Sequence, residues 1–469
     1  MTQYADDSLR GAMNAEQLND LMIAVSLLAA LLLVGTFLRA RLRLLQKILL
    51  PSSLIAGFIG LALSPQALGV LPPGVIEIWA ALPGRLISVV FACMFLGHAI
   101  PSLRTVWREA GPQICYGFLA GFGQYFVAIV VTMALLVPLF GVPPIFATIL
   151  EIGFSGGHGT ASGMCEVFGS LGFPDGCDLG LMSATVGITV AVIFGMLLVN
   201  LAARRGHALL IKSPGSIPPD VLSGILDEKN RRTIGTSTVS MNAIEPLAFH
   251  LGFVGISILL GWLAYRGVRE IHPMLKSFPL FPLAMLGGIA VQAASSTLKI
   301  DRILDRPSFE RIQGLSLDIL VASAIASLNL RVVMEYGAPF AILMVVGLAW
   351  MLALTWFVAP RMFPDAWFER GVVEFGMQTG VTAVGLLLLR IVDPEYRTEA
   401  APSFGFKQIV YEPLLGGGLV TSISPMLIAG MGLPGALLAV SGIMVLFLLV
   451  AFLAGFFHRH PGPYQSIHQ

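Results

Sequence analysis

The sequence predicts an all-α polytopic membrane protein with two inverted five-helix repeats, each with a re-entrant hairpin, and an extra C-terminal transmembrane helix. Composition is the first observation: 56% of the 469 residues are hydrophobic and 12% are charged, which excludes an ordinary soluble enzyme. The second observation is a glycine-rich motif that occurs once in each half of the chain. The third is the distribution of lysine and arginine between the apolar stretches.

Long stretches without Asp, Glu, Lys or Arg mark the predicted crossings. They are residues 21–38, 48–76, 86–103, 111–149, 179–203, 246–265, 277–298, 336–360 and 413–457. About 20 apolar residues cross a bilayer, so the last stretch holds more than one crossing. The first twenty residues are acidic and polar and lack the basic region of a signal peptide, so we expect the first span to be retained.

Basic residues predict the orientation. If the crossings alternate and the N-terminus lies outside, 22 of the 28 lysines and arginines fall in inner loops, Lys407 among them. This excess fits the positive-inside rule and places the C-terminus in the cytoplasm. Five crossings precede the central loop, so the second set starts from the opposite side and the halves are inverted.

This scheme divides the chain into six parts. They are an extracytoplasmic segment (1–20), a first repeat (21–203) with a hairpin near 143–170, a cytoplasmic connector (204–246), a second repeat (247–430) with a hairpin near 370–392, an additional transmembrane helix (431–457) and a cytoplasmic tail (458–469).

The glycine motif is the strongest sign of duplication. Glu151, Gly153, Gly157, Thr160, Ala161 and Gly163 recur 223 residues later as Glu374, Gly376 and Gly380 and then, after a one-residue deletion, as Thr382, Ala383 and Gly385. Glycine costs about 1 kcal/mol relative to alanine inside a helix, so both segments should unwind. Unpaired backbone groups are tolerated at membrane depth only against protein or water, which predicts the tip of a re-entrant hairpin. One such break per half is typical of secondary transporters whose site lies between two repeats.

The predicted chemistry follows from the helix ends at each tip. A helix that begins there presents N–H groups to an anion such as a carboxylate, and a helix that ends there presents carbonyl oxygens to sodium. The predicted substrate-binding residues are Ser155, Gly156, Gly157, His158, Gly159, Thr160, Thr379, Gly380 and Thr382. The candidate sodium or proton ligands are Glu151, Ser162, Asp318, Glu374 and Gln378.

Several of these residues have a second interpretation. A charged group costs about 2.5–3.5 kcal/mol at a helix centre, so Glu151 and Glu374 either bind ions or lie at hairpin entrances that water reaches. The position of Asp318, near the cytoplasmic end of its span, favours a water-exposed carboxylate. His158 either contacts the substrate, carries a proton or caps backbone groups. The four cysteines show no metal-ligand spacing, and three of them lie in apolar surroundings, where we expect small hydrophobic residues. We expect no structural or redox role for the cysteines.

With these residues in view, the chain resembles the sodium/glutamate symporter family of bacteria. The resemblance rests on the run Ser155-Gly156-Gly157-His158-Gly159-Thr160-Ala161, which is similar to the first re-entrant motif of that family, and on the five-plus-five layout. It implies sodium-coupled uptake of glutamate, a homodimer in the inner membrane and elevator-like movement of a transport domain against a scaffold. The run from Gly385 to Arg390 departs from the family pattern, since it is apolar where small and polar residues are expected.

Three other functions have to be distinguished from sodium-coupled uptake of glutamate. A proton- or sodium-coupled carrier of another organic anion would have the same architecture, and a passive channel would lack coupling. An intramembrane serine hydrolase could use Ser155 with His158 as its base, but the second copy has Gln378 and no histidine. We therefore predict a transporter and not an enzyme. Its expected partners are membrane lipid and a small anion, with sodium as the coupling ion. Nucleic acid is not expected, because the basic residues are spread over several loops.

Overall fold

The computed structural model describes residues 15–47, 50–98, 101–209, 223–231, 233–271, 278–363, 365–393 and 397–458. Five of the predicted parts fall partly outside these residues: 1–14 of the N-terminal segment, 48–49 and 99–100 of the first repeat, 210–222 and 232 of the connector, 272–277, 364 and 394–396 of the second repeat, and 459–469 of the tail. Across the described ranges the secondary structure is helical, without strands.

In the described residues before the connector, nine α-helices have six residues or more. They are α1 (Ala15–Arg41), α2 (Ser52–Leu63), α3 (Pro73–Ala81), α4 (Pro83–Cys93), α5 (Leu103–Val131), α6 (Ile149–Phe154), α7 (Gly157–Gly163), α8 (Cys165–Ser170) and α9 (Gly176–Arg205). Short helical pieces also occur at Arg43–Lys47, Thr132–Leu136, Val137–Phe140 and Pro144–Thr148.

In the described residues after the connector, eight α-helices have six residues or more. They are α10 (Pro246–Ile271), α11 (Phe281–Thr297), α12 (Arg306–Ala326), α13 (Leu330–Glu335), α14 (Gly337–Ala353), α15 (Trp367–Val392), α16 (Ala400–Tyr411) and α17 (Leu419–Leu453). Shorter pieces are Asp301–Ile303, Leu354–Val358 and Ala359–Met362, and Glu228–Asn230 lies within the connector. In the described residues, eight helical segments are long and apolar enough to cross a membrane, so the chain is a multi-pass membrane protein.

The two halves share an irregularity outside the glycine motif. The π-helical turn Thr132–Leu136 interrupts the long helix that begins with α5, and the π-helical turn Leu354–Val358 interrupts the one that begins with α14. Each turn is followed within two residues by a proline, Pro138 or Pro360. A π turn is rare inside a helix, so its recurrence at nearly the spacing of the glycine motif is typical of duplicated units.

The helices pack as two bundles. In the first bundle, α1 packs on α2, α12 packs on α2 and α4, and α11 packs on α4 and α10. In the second bundle, α9 packs on α6 and α15, and α5 packs on α14, α16 and α17. The short helix α7 contacts α9 of the second bundle and both α4 and α12 of the first. It is therefore a link between the bundles.

Three breaks interrupt the helices near the centre of the second bundle. The first is the turn at Ser155 and Gly156, between α6 and α7. The second lies inside α15, where Gly380 and Val381 leave the helical conformation. A Cβ on Gly376 would approach the backbone of Gly385 to 2.7 Å, so the two arms of α15 lie against each other. The third is the segment 412–418 between α16 and α17, which we call the α16–α17 break.

Two expectations from the sequence are wrong. Cys165 and Cys177 form a disulfide, because the chain returning from α7 places the start of α8 beside the start of α9. Cys93 and Cys115 are buried free thiols, as expected of small hydrophobic residues. Lys407 does not lie in an inner loop: its side chain is fully buried within the second bundle, where a carboxylate compensates its charge.

Candidate functional site

The tips of the two motifs touch. Gly157 has a φ of +69°, and a Cβ at this position would overlap the side chain of Val381. Val381 itself has φ 69° and ψ 166°, a conformation that is essentially restricted to glycine and strains a β-branched residue. Strained backbone of this kind concentrates at binding sites. Residues 224 positions apart therefore meet at one place.

Glu151 is fully buried beneath the first tip and accepts three hydrogen bonds. Tyr125 donates its hydroxyl at 2.6 Å, the backbone N–H of Gly416 donates at 3.0 Å, and the hydroxyl of Thr421 donates at 3.0 Å. All three donors are neutral. The carboxylate thus joins α6 to α5, to the α16–α17 break and to α17, and among the described residues no lysine or arginine pairs with it.

The α16–α17 break closes over the first tip. Gly416 and Gly417 have φ values of 68° and 107°, which allow the chain to reverse next to the motif. A Cβ on Gly417 would overlap the hydroxyl of Thr160, so only glycine fits there. The buried Thr160 Oγ1 has no hydrogen-bond partner in the described part of the chain. It is an oxygen free to bind a ligand.

A tyrosine connects the two tips. The hydroxyls of Ser155 and Tyr411 lie 3.2 Å apart, and Tyr411 donates to Gln378 Oε1 at 3.0 Å. Gln378 also accepts from Gln124 Nε2 at 3.3 Å and donates to Glu374 Oε1 at 3.0 Å. One chain of polar contacts therefore runs from the first motif to the second through α16.

Glu374, the counterpart of Glu151, has a different environment. It forms a 2.6 Å ion pair with Lys407, and both side chains are fully buried. Gln113 donates to its other oxygen at 2.9 Å. The Lys407 ammonium also contacts Gln408 Oε1 at 2.8 Å and lies 3.7 Å from the ring centre of Tyr411. The charge of Glu374 is thus compensated by a residue of this chain.

A third carboxylate lies beside the second tip. Glu412 accepts from Thr382 Oγ1 at 3.2 Å and from Gln408 Nε2 at 2.8 Å, and Gln408 also donates to Thr382 at 2.8 Å. Thr382 and Glu412 are only partly buried. These groups are the most accessible polar atoms of the site.

The remaining predicted residues make other contacts. His158 Nε2 lies 2.9 Å from Thr185 Oγ1 and not against Ser155, so the serine–histidine pair of a hydrolase does not form. Ser162 and Thr379 donate to carbonyls of their own helices. Gly156 packs against Thr160, Gly159 against Ile87, and Gly380 against Ile188 and Ala191, so these three glycines allow close packing. Asp318 lies on an exposed face of α12, apart from the tips.

The donor set suits sodium as a transported ion. In the described ranges no three His, Cys, Asp or Glu residues approach each other as ligands of a transition metal would. Sodium instead takes hard oxygen ligands, which are carboxylate, hydroxyl and carbonyl groups. Among the described residues, Glu151 has no cationic partner and Thr160 Oγ1 has no hydrogen-bond partner, and both lie against the glycines of the α16–α17 break, so these residues fit the ion.

Sequence reasoning missed the residues contributed by α5, by α16 and by the α16–α17 break. They are Gln113, Gln124, Tyr125, Lys407, Gln408, Tyr411, Glu412 and Gly416. One signal could have found some of them. Lys407 interrupts residues 400–411, which are otherwise uncharged, and Glu412 and the triple glycine 416–418 follow it, which is the pattern of a third broken helix.

One protein family that matches the sequence is consistent with this geometry. The sodium/glutamate symporter family matches residues 16–385, well over half of the chain. No curated protein matches the chain. The family match ends within α15, so Lys407 and Glu412 lie beyond it. The chain belongs to the sodium/glutamate symporter family and is a sodium-coupled membrane transporter, not an enzyme.

Proposed function

We propose that this protein takes up glutamate, or a closely related carboxylate, together with sodium by alternating access. The observation that carries the proposal is the contact between Gly157 and Val381, which puts the motif of each half at one site. Alternating access requires such a shared site with a gate on either side. Inward movement of sodium offsets the cost of bringing an anion into a negative-inside cell, about 2.3 kcal/mol per charge per 100 mV.

We interpret the halves as inverted repeats with oppositely entering hairpins. The matched π-helical turns and the antiparallel arms of α15 support this interpretation. Residues assigned to the same membrane side also contact each other. Asn329 donates to Asp178 at 2.8 Å on the proposed outer side, and Leu209 donates to Glu369 at 2.7 Å on the proposed inner side.

The disulfide supports an outside N-terminus and an inner-membrane location. Cys165 and Cys177 lie between α7 and α9, where the first hairpin returns to the proposed outer face. Disulfides persist in oxidising compartments such as the bacterial periplasm and are rare in the cytosol. The opposite orientation would place this bond in a reducing compartment.

An amino acid suits the second tip better than a plain dicarboxylate. The arm of α15 that follows Val381 runs to Val392 and starts at the tip, so its N-terminal end favours a carboxylate. Glu412 lies beside this end, next to Thr382, and would pair with an ammonium group. An α-amino acid carries both groups on one carbon.

The two bundles suit an elevator-like mechanism. Both tips, Glu151, Glu374 and the α16–α17 break belong to the second bundle, which we assign as the moving domain. The first bundle would be the fixed scaffold and the contact of a homodimer. Its helices α1 and α10 have mostly exposed apolar surface, as has α17 of the second bundle. In a dimer part of this surface would be covered.

Purified protein in liposomes tests the proposal. Labelled glutamate should accumulate only under an inward sodium gradient, and an inward proton gradient in potassium buffer should not replace it. Competition by glutarate, which lacks the amino group, and by aspartate then defines the substrate. Accumulation of another organic anion but not of glutamate would assign the protein to that substrate. Equal uptake in sodium and potassium would contradict sodium coupling in this preparation.

A further inference from the structure

The two motif carboxylates differ in the source of their counter-charge. Glu374 is paired with the Lys407 ammonium at 2.6 Å. Glu151 occupies the corresponding position in the first motif, yet its described partners are the hydroxyls of Tyr125 and Thr421 and the N–H of Gly416. Both carboxylates are fully buried. Within the described residues, one motif carboxylate therefore has a fixed cation and the other has none.

A buried carboxylate without a counter-charge is costly, because its attraction to water is lost and neutral donors replace only part of it. Lys407 cannot leave its partner, since it is fixed to α16 and its ammonium is also held by Gln408 and the ring of Tyr411. A coupling ion, by contrast, must bind and leave in every cycle. The carboxylate that lacks a fixed cation is the one suited to this task.

We propose that the ammonium of Lys407, which is covalently fixed to the second half of the chain, occupies at Glu374 the position that a sodium ion occupies at Glu151. This inference rests on the proposed function. Sodium then binds beside the first tip, where Glu151 and the unpaired hydroxyl of Thr160 supply oxygens. The Glu374–Lys407 pair stays neutral and moves with its bundle, so it excludes a second ion from the equivalent position.

The proposal makes the two carboxylates respond differently to neutralisation. Glu151→Gln removes the negative charge that attracts sodium. Replacing the pair with Glu374→Gln and Lys407→Met together leaves no charge behind, so the sodium site at Glu151 should survive. Lys407→Met alone leaves Glu374 without its cation, and sodium should then bind at a second site, beside Glu374.

The test measures thermal unfolding of the purified full-length protein in detergent, at equal ionic strength, in sodium chloride and in choline chloride. A ligand that binds only the folded state raises its midpoint with concentration. We expect sodium to raise the midpoint of the wild type and of the Glu374→Gln, Lys407→Met double variant equally, and that of Glu151→Gln no more than choline does. The Lys407→Met variant should show a larger and steeper sodium dependence than the wild type. Glu166→Gln, at an exposed glutamate outside the site, is the matched control.

Several results would overturn the proposal. They are a wild-type sodium shift in Glu151→Gln, loss of the shift in the double variant, or an unchanged shift in Lys407→Met. If Lys407→Met fails to fold even in sodium, the double variant still decides the question. Thr160→Val supplies a second variant at the first tip and should weaken the sodium shift. The measurement needs no glutamate, so a protein that binds sodium in this pattern and carries another anion would contradict only the proposed substrate.

Discussion

Gly157→Ala tests the contact between the two tips. The added Cβ must adopt a left-handed backbone conformation, which costs an L-residue about 1–2 kcal/mol. It also overlaps the side chain of Val381, and overpacking of this kind costs about 1–3 kcal/mol more. The sum, about 2–5 kcal/mol, should lower the stability of the closed tips and reduce sodium-driven uptake at least tenfold.

A second substitution separates these two costs. Val381→Gly removes the overlapping side chain and its own strain, so in the double variant it should recover the overlap part of the loss. The double-mutant cycle should then give a coupling of about 1–3 kcal/mol in thermal or denaturant unfolding. Gly169→Ala is the matched control, because a Cβ there meets nothing within 4 Å, and we expect it to be nearly neutral. Strictly additive effects of the two substitutions would refute the contact.

Three further changes test other parts of the site. Tyr125→Phe removes the shortest hydrogen bond to Glu151 and should destabilise the protein by about 1.5–3 kcal/mol in thermal unfolding; an unchanged midpoint would mean that this bond is absent. Glu412→Gln should reduce glutamate uptake at least tenfold more than glutarate uptake, and an equal loss for both would remove its role as the ammonium partner. Cys165→Ser should lower stability by about 2–3 kcal/mol, as should a reductant acting on the wild type; a midpoint insensitive to reductant would contradict the bond to Cys177.

Much of the helical architecture follows from composition and spacing. A membrane span is a local property of about 20 residues, so hydropathy finds it without knowledge of the fold. The glycine motif predicted the positions of two helix breaks, because glycine-rich backbone is locally unstable as a helix. The structure has those breaks at Ser155–Gly156 and at Gly380–Val381.

The third break was harder to predict because it has no counterpart in the first half. The helix α9 runs unbroken from Gly176 to Arg205, whereas the corresponding region after α15 is divided into α16 and α17. Comparison of the two halves predicts only the features that both copies share. It therefore does not predict the α16–α17 break, which covers Glu151 and has no counterpart in α9.

Contacts between residues that are far apart in the sequence also cannot be predicted from local sequence patterns. The sequence predicts a loop position for Lys407 because a positive charge is usual in a loop, and only the contact with Glu374 makes this ammonium stable inside the bundle. The cysteines show the same limit. Their spacing of 12 residues fits many arrangements, and the disulfide forms because the chain turns back between α7 and α9.

Substrate protection shows whether the breaks of both halves form one sodium-coupled site. Single cysteines are introduced by Ser155→Cys and by Thr382→Cys, and each is labelled with an impermeant thiol reagent from either side of the membrane. The account predicts that position 155 reacts from outside and position 382 from inside, and that sodium with glutamate protects both while glutamate without sodium protects neither. Protection of one position only, or reaction of both from the same side, would contradict it.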